Sequence, residues 1–264
     1  MAASYTLVTG GSAGIGEAFA RACARRGRNL LLVALPGPEL ETTAESIRAA
    51  HGVEVRTLGI DLAALEGPSR VYDWCVANRT PVDFLINNAG AAGTAVFETS
   101  ALEYSDLRVM VNVRALVLLS RLFIPMLKEW PRSYILNVGS LGGFYPIPYK
   151  SVYSASKAFV LTFSRALREE LRETSIRVSV VCPNGVETNP GTFVRIGVHG
   201  RVGRWSKIDR HVLAEKTLDD VIRGKTVIVP KAINKVLRIF HKIVPASFLA
   251  KFLRRRFNRE VKVS

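Results

Sequence analysis

Short apolar runs rich in β-branched residues alternate with longer stretches of helical period along most of the chain, the pattern of βαβ units wound around a parallel sheet. Tyr5–Thr9, Asn29–Ala34, Glu54–Gly59, Phe84–Asn87, Ser133–Val138, Arg177–Val181 and Thr226–Val229 read as strands. Helices are predicted near Ile15–Arg26, Glu39–His51, Gly67–Asn78, Ala101–Glu129, Val152–Glu173 and Ile208–Arg223. No repeat and no low-complexity linker divides the sequence. One doubly wound α/β domain is therefore expected over residues 1–230, with seven parallel strands and helices on both faces, followed by an extension over 231–264. The irregular segment Asn189–Arg210 breaks the alternation and reads as a functional loop or lid.

A chain of 264 residues with 48% hydrophobic and 22% charged side chains can bury a sizeable core, which excludes disorder for the bulk. The net charge of +15 suggests nucleic acid until it is divided. Ten Lys and Arg against Glu260 alone give residues 231–264 a charge of +9, leaving +6 for the rest. The body is mildly basic, and the tail invites a local electrostatic partner. Cys23, Cys75 and Cys182 lack metal-site or disulfide spacing and read as reduced core residues of a cytoplasmic protein. His51, His199, His211 and His241 are scattered, so no metal is expected. "MAAS" runs straight into "YTLVTG", and no apolar run approaches the ~18–20 residues of a spanning helix, so neither a secretory leader nor an integral segment is expected.

"TLVTGGSAGIGEAFA" is a strand, a glycine-rich turn and an amphipathic helix. Gly10, Gly14 and Gly16 allow backbone angles and close approaches that side chains forbid, and the helix start offers N–H groups to a pyrophosphate. That context points to dinucleotide binding. "SVYSASKAF" sets Tyr153 and Lys157 four residues apart, on one face of a helix, where an ammonium can lower a phenol's pKa toward useful proton transfer. Taken alone, such a pair is common and fits a solvated helix face better than a catalytic one.

Read together, "TGGSAGIG", "IDL" at 60–62, "NNAG" at 87–90, "VNV" at 111–113, Ser140 in "LNVGSLGG", "YSASK" at 153–157 and "PNGVET" at 183–188 resemble the short-chain dehydrogenase/reductase family in order and spacing. The resemblance covers about residues 4–230 and implies a Rossmann fold and an NAD(P)(H)-dependent oxidoreductase that interconverts a carbonyl and a secondary alcohol. It further implies Tyr153 as acid/base, Lys157 lowering the phenol's pKa and holding the nicotinamide ribose, Ser140 holding the substrate oxygen, and Asn112 positioning a relay water. Thr9, Gly10, Ser12, Gly14, Ile15 and Gly16 would form the phosphate turn. Asp61 would contact adenine, or cap the following helix. Asn88 and Gly90 would wall the adenosine ribose, and Val186 and Thr188 would hold the nicotinamide amide and adjoining phosphates.

Two positions depart from the family pattern. Leu35 stands where an Asp bonds the ribose 2′-hydroxyl in NAD enzymes or an Arg pairs with the 2′-phosphate in NADP enzymes. The missing carboxylate favours NADP(H) over NAD(H), and the missing Arg keeps that preference small. Asn184 replaces a glycine of the "PG" motif, and Asn tolerates left-handed backbone angles.

Phe144, Tyr145, Pro146, Ile147 and Tyr149 either wall a pocket for a hydrophobic lipid, steroid or retinoid-like carbonyl compound or pack beneath the lid. In the tail, Ile233, Val236, Leu237, Phe240, Ile243 and Val244 form one apolar stripe; beyond Pro245, Phe248, Leu249, Phe252, Leu253 and Phe257 form a second, beside Arg254, Arg255 and Arg256. Such stripes fit packing on the body, a second subunit or an anionic membrane surface, and argue against nucleic acid. A homo-oligomer, dimer or tetramer, is expected. The rival reading of the whole chain is a catalytically idle scaffold or a peripheral membrane module that kept the fold.

Overall fold

A computed structural model describes residues 3–186, 208–234 and 246–261. Strands β1 (Tyr5–Thr9), β2 (Asn29–Ala34), β3 (Val55–Gly59), β4 (Val82–Asn87), β5 (Ser133–Val138), β6 (Ile176–Val181) and β7 (Val227–Ile228) form one sheet in the order β3-β2-β1-β4-β5-β6-β7. Every pairing is parallel. The order reverses between β1 and β4, where a doubly wound sheet opens a crevice at the carboxyl ends of its strands.

Helices α1 (Gly14–Ala24), α2 (Pro38–His51) and α7 (Arg210–Ile222) cover one face of the sheet, and α3 (Gly67–Ala77), α5 (Leu116–Lys128) and α6 (Ser151–Glu170) the other. The pleat explains why the strands read as unbroken apolar runs. Leu30, Leu32 and Ala34 of β2 point into the first core layer with Phe19 and Ile47, while Leu31 and Val33 point into the second with Leu119 and Phe123. Each fully buried Leu or Phe contributes roughly 1.5–3 kcal/mol of transfer free energy, so this double layer drives the fold.

Helix ends follow local chemistry. Pro38 opens α2 at a position whose N–H would be orphaned, and Gly52 closes it at φ 66°. Asp209 caps α7, its carboxylate accepting from the N–H groups of His211 at 2.8 Å and Val212 at 3.0 Å. The start of α1 is different: Ala13 gives it no side-chain cap.

The helix expected over Ala101–Glu129 is interrupted. Helix α4 (Leu102–Val109) runs into a π-helical turn at Met110–Ala115 before α5 begins, and such turns recur at functional sites. The expectation that nothing here reaches spanning length is also corrected. Leu102–Lys128 runs for 27 residues with a mean hydropathy of 1.7 over its best window, enough by length and composition to cross a membrane. Asn112, Arg114 and Arg121 interrupt the run to the eye but not its average. Ala115, Leu119, Phe123 and Leu127 pack against the sheet, as in a core helix.

In the extension, helix α8 (Ala246–Val261) matches the second expected stripe in position but not in every residue. Leu253 is buried and Phe257 half-buried, whereas Phe248 is 68% exposed, because it lies on the opposite side of the helix from Leu253. The first stripe beyond Asn234 and the side chains of Leu249, Phe252 and Arg256 lie outside the described residues.

Candidate active site

Four elements converge at the crevice. Gly10, at φ 63°, follows β1, and Gly14, at φ 61°, starts α1. A Cβ on Gly16 would run into the carbonyl of Gly10 and stand 2.5 Å from Asn88 Nδ2, so only glycine lets the turn fold onto the helix. Asn88 Nδ2 donates to the carbonyls of Thr9 at 2.8 Å and Gly10 at 3.2 Å. Thr9 Oγ1 accepts from the N–H groups of Asn88 and Ala89, both at 2.9 Å. Thr9 and Asn88 therefore stitch the turn to the loop after β4. With the uncapped N–H groups of α1 facing the crevice, this cradle fits a pyrophosphate. Ser12 is half-buried, its carbonyl accepting from Thr43 Oγ1 at 2.9 Å, and Ile15 packs on the core.

The proton-transfer candidates sit on α6. Lys157 is buried, and Nζ donates to the carbonyl of Val138 at 2.8 Å and lies 6.0 Å from the centroid of the Tyr153 ring. Burial, which penalises the charged form, pulls its pKa down to about 8. Ser140 begins the 3-10 turn Leu141–Phe144, its Oγ accepting from Gly142 N at 3.1 Å. Two glycines mark how closely these groups converge. A methyl on Gly142 would stand 3.4 Å from Ser140 Oγ and 4.0 Å from Tyr153 Cε1; one on Gly90 would stand 3.0 Å from Asn112 Oδ1 and 3.5 Å from Lys157 Nζ. Ser140 and Tyr153 thus share one spot, and Asn112 and Lys157 share another.

Asn112, in the π turn, is fully engaged. Its Oδ1 accepts from Ala91 N at 2.8 Å, and Nδ2 donates to the Ala91 carbonyl and to Ser156 Oγ, both at 3.0 Å.

Other expected contacts land differently. Asp61 Oδ1 accepts from Ala63 N at 2.8 Å, capping a local turn, and α3 starts later at Gly67, so the helix-cap alternative fails for that helix. The left-handed residue of the "PNG" turn is Gly185, at φ 54°, so Asn184 needs no special tolerance. Val186 is buried in the core and bridges to Ile208. Leu35 is 64% exposed at the end of β2. Thr188 and the expected lid lie outside the described residues, apart from Ile208–Arg210 at its end.

Beside Tyr153 a shallow, open cleft is lined by Ala95, Phe97, Tyr104, Tyr149 and Val152, with Ser100, Lys150 and Ser151 as its polar part. Of the aromatic wall expected from sequence, Tyr149 lines this cleft, while Phe144 and Tyr145 pack against the core beside Leu141 and Ile147 is buried. The other wall, from the 91–101 loop and α4, carries no periodicity or motif that sequence reading could have used. The same is true of Arg108, which lies at the base of that loop.

A profile of the short chain dehydrogenase family matches residues 4–195. The chain belongs to that family. Short-chain dehydrogenases are NAD(P)-dependent oxidoreductases. The chain is 34% identical over 185 residues to a very-long-chain 3-oxoacyl-CoA reductase of Kluyveromyces lactis, covering 67% of this chain and 54% of that protein. It thus spans about half the length of that relative. Solved structures are similar as well, among them an alcohol dehydrogenase and a short-chain dehydrogenase. The bulky-bulky ketone specific alcohol dehydrogenase of Comamonas testosteroni is 27% identical, with a TM-score of 0.78 and 92% of each chain covered. A short-chain dehydrogenase of Sphingobium yanoikuyae in complex with NADPH is 28% identical, with a TM-score of 0.77, covering 92% of this chain and 96% of that one.

Proposed function

We propose that this crevice interconverts a carbonyl and a secondary alcohol on a hydrophobic substrate with NADP(H) or NAD(H). The observation that carries the reading is the convergence of Ser140, Tyr153, Lys157 and Asn112 at the carboxyl end of the sheet. Bound nicotinamide supplies or accepts the hydride. Tyr153 gives its phenolic proton to the substrate oxygen in reduction and takes it back in oxidation. Lys157, as an ammonium, stabilises the phenolate left behind, an effect strengthened by burial. Ser140 donates to the same oxygen. Asn112 holds Ala91, and through it the loop beside Lys157.

The substrate class rests on the aromatic side chains of the cleft, Phe97, Tyr104 and Tyr149, and on the names of the relatives, which reduce very-long-chain 3-oxoacyl-CoA or take bulky ketones. NADP(H) is favoured by the absence of a carboxylate at Leu35 and by the NADPH complex of the Sphingobium neighbour. Cofactor oxidation with a panel of apolar ketones tests the reading. Tyr153→Phe is expected to cut turnover about 10²–10⁴-fold while leaving NADPH affinity within twofold. Detectable neither as turnover nor as cofactor binding in the wild type, the activity would give way to the scaffold reading.

A second reading concerns surfaces. Phe248, Lys251, Arg254 and Arg255 are exposed on α8 while Leu253 faces inward, a combination that suits an anionic bilayer surface better than nucleic acid. Phe257 places α8 near the cleft, its ring 5.2 Å from Lys150 Nζ. Leu107 and Val109 of α4 and Phe159 of the adjacent α6 are exposed and apolar, a face suited to a second copy of the chain.

A further inference from the structure

The loop that follows β4 is fastened along its length. Asn88 and Ala89 are tied to Thr9, Ala91 to Asn112, and Ala95 N donates to the carbonyl of Tyr149 at 2.9 Å. Between Ala91 and Ala95 the fastening comes from Arg108. Its Nη2 donates to the carbonyl of Ala92 at 2.5 Å, and Nη1 donates to the carbonyl of Tyr104 one turn back on α4. Its guanidinium stands 3.2 Å from the centroid of the Tyr104 ring.

This arrangement is costly to build. Arg108 is 6% exposed, its Nε has no partner, and among the described residues no carboxylate pairs with it. Burial lowers its pKa, yet a guanidinium stays charged in proteins. A buried cation held by carbonyls and by the Tyr104 side chain, with no carboxylate among the described residues, is a poor device for stability, since an apolar residue of similar volume often serves as well. Its geometry offers another use. Gly93, at φ 152°, lies flush against Arg108 Nη2 and Tyr104 Oη, which leave no room for a Cβ. The clamp therefore fixes the loop at the point where the Asn88–Gly90 wall of the cofactor crevice gives way to Ala95 and Phe97, which line the cleft beside Tyr153.

We propose that Arg108 is a positioning residue for substrate specificity: with Ala95 already tied to Tyr149, its clamp of Ala92 onto Tyr104 sets how far Tyr104 and the loop stand from Tyr153 across the cleft, and so the size of carbonyl compound that reaches it. The proposal rests on the carbonyl–alcohol reading of the same cleft. It acts through the loop, without touching the reacting atoms.

The test compares Arg108→Lys and Arg108→Met with wild type, using full-length protein, NADPH and a series of ketones of increasing bulk. Arg108→Met keeps the volume and loses every donor; Arg108→Lys keeps a charge and one point of attachment. For Arg108→Met we expect kcat/KM for the bulkiest ketone to fall roughly tenfold or more, chiefly through KM. The smallest ketone and the NADPH Kd should change less than twofold, and Arg108→Lys should recover part of the loss. A fall of the same factor for every ketone, tracking a fall in Tm, would assign Arg108 to stability and overturn the proposal. Hydrogen exchange separates this from failure of the functional reading itself. Should wild type turn over no ketone, faster exchange at Ala92, Gly93 and Ala95 in Arg108→Met, with β4 unchanged, still supports the clamp; unchanged exchange there sinks it.

Discussion

The ammonium of Lys157 is buried at the end of β5 against the carbonyl of Val138, and burial pulls its pKa down to about 8 from the ordinary lysine value of 10.5. Between those two values the unfolded chain holds a proton that the native protein does not, so stability rises with pH across that window. The proton binding that penalises the fold is complete below about pH 8, where the cost of the buried charge is about 3 kcal/mol by the usual conversion. Lys157→Met should remove the dependence. The difference in unfolding free energy between variant and wild type is expected to shrink as pH goes from 8 to 10, measured by urea unfolding of the cofactor-free protein. A constant difference would mean that the ammonium is not titrating there. The same variant should lose turnover at every pH, because Tyr153 then lacks the charge that stabilises its phenolate. Lys157 was legible in the sequence through its spacing from Tyr153. Its burial was not, because helical spacing alone leaves a solvated face open.

At the scale of elements, the turn between β1 and α1 invites a direct perturbation. Gly16→Ala drives a methyl into the carbonyl of Gly10, which is backbone and cannot swing aside. A loss of about 1–3 kcal/mol in stability is expected, and of more than tenfold in NADPH affinity, read by denaturant melts and fluorescence titration. Most elements were legible because their signals are local. β1, β2 and β5 match their expected ends; β3 and β6 shift by one residue at one end, β7 by one at each end, and β4 starts two residues earlier, at Val82. The π turn was not legible, since its Asn112 bonds Ala91, 21 residues earlier and adjacent only once the sheet is wound. Thr9 likewise belongs to the phosphate turn by motif, yet its hydroxyl serves the β4 loop. Motifs report which residues meet; they carry less about which bond each one makes.

At the scale of the molecule, the open questions are surfaces. If α8 meets an anionic bilayer, then reversing Lys251, Arg254 and Arg255 together to Glu should abolish co-sedimentation with phosphatidylserine vesicles and leave NADPH binding intact; each charge contributes roughly 1 kcal/mol at such a surface. Pelleting that survives the reversal would return α8 to a packing role. If α4 and α6 meet a second copy, Phe159→Glu should shift the mass measured by light scattering to that of one chain, and an unchanged mass would reject that face. The sheet itself offers little to a partner. At one edge β7 is two residues long, and at the other Arg56 of β3 engages Glu54, Asn78 and Thr80, placing charge along the strand. Short or charged edges resist pairing with strands from other molecules. Those edges guard the sheet against fibre-like growth, so among the described residues the surfaces left to offer a second copy or a membrane are helical faces.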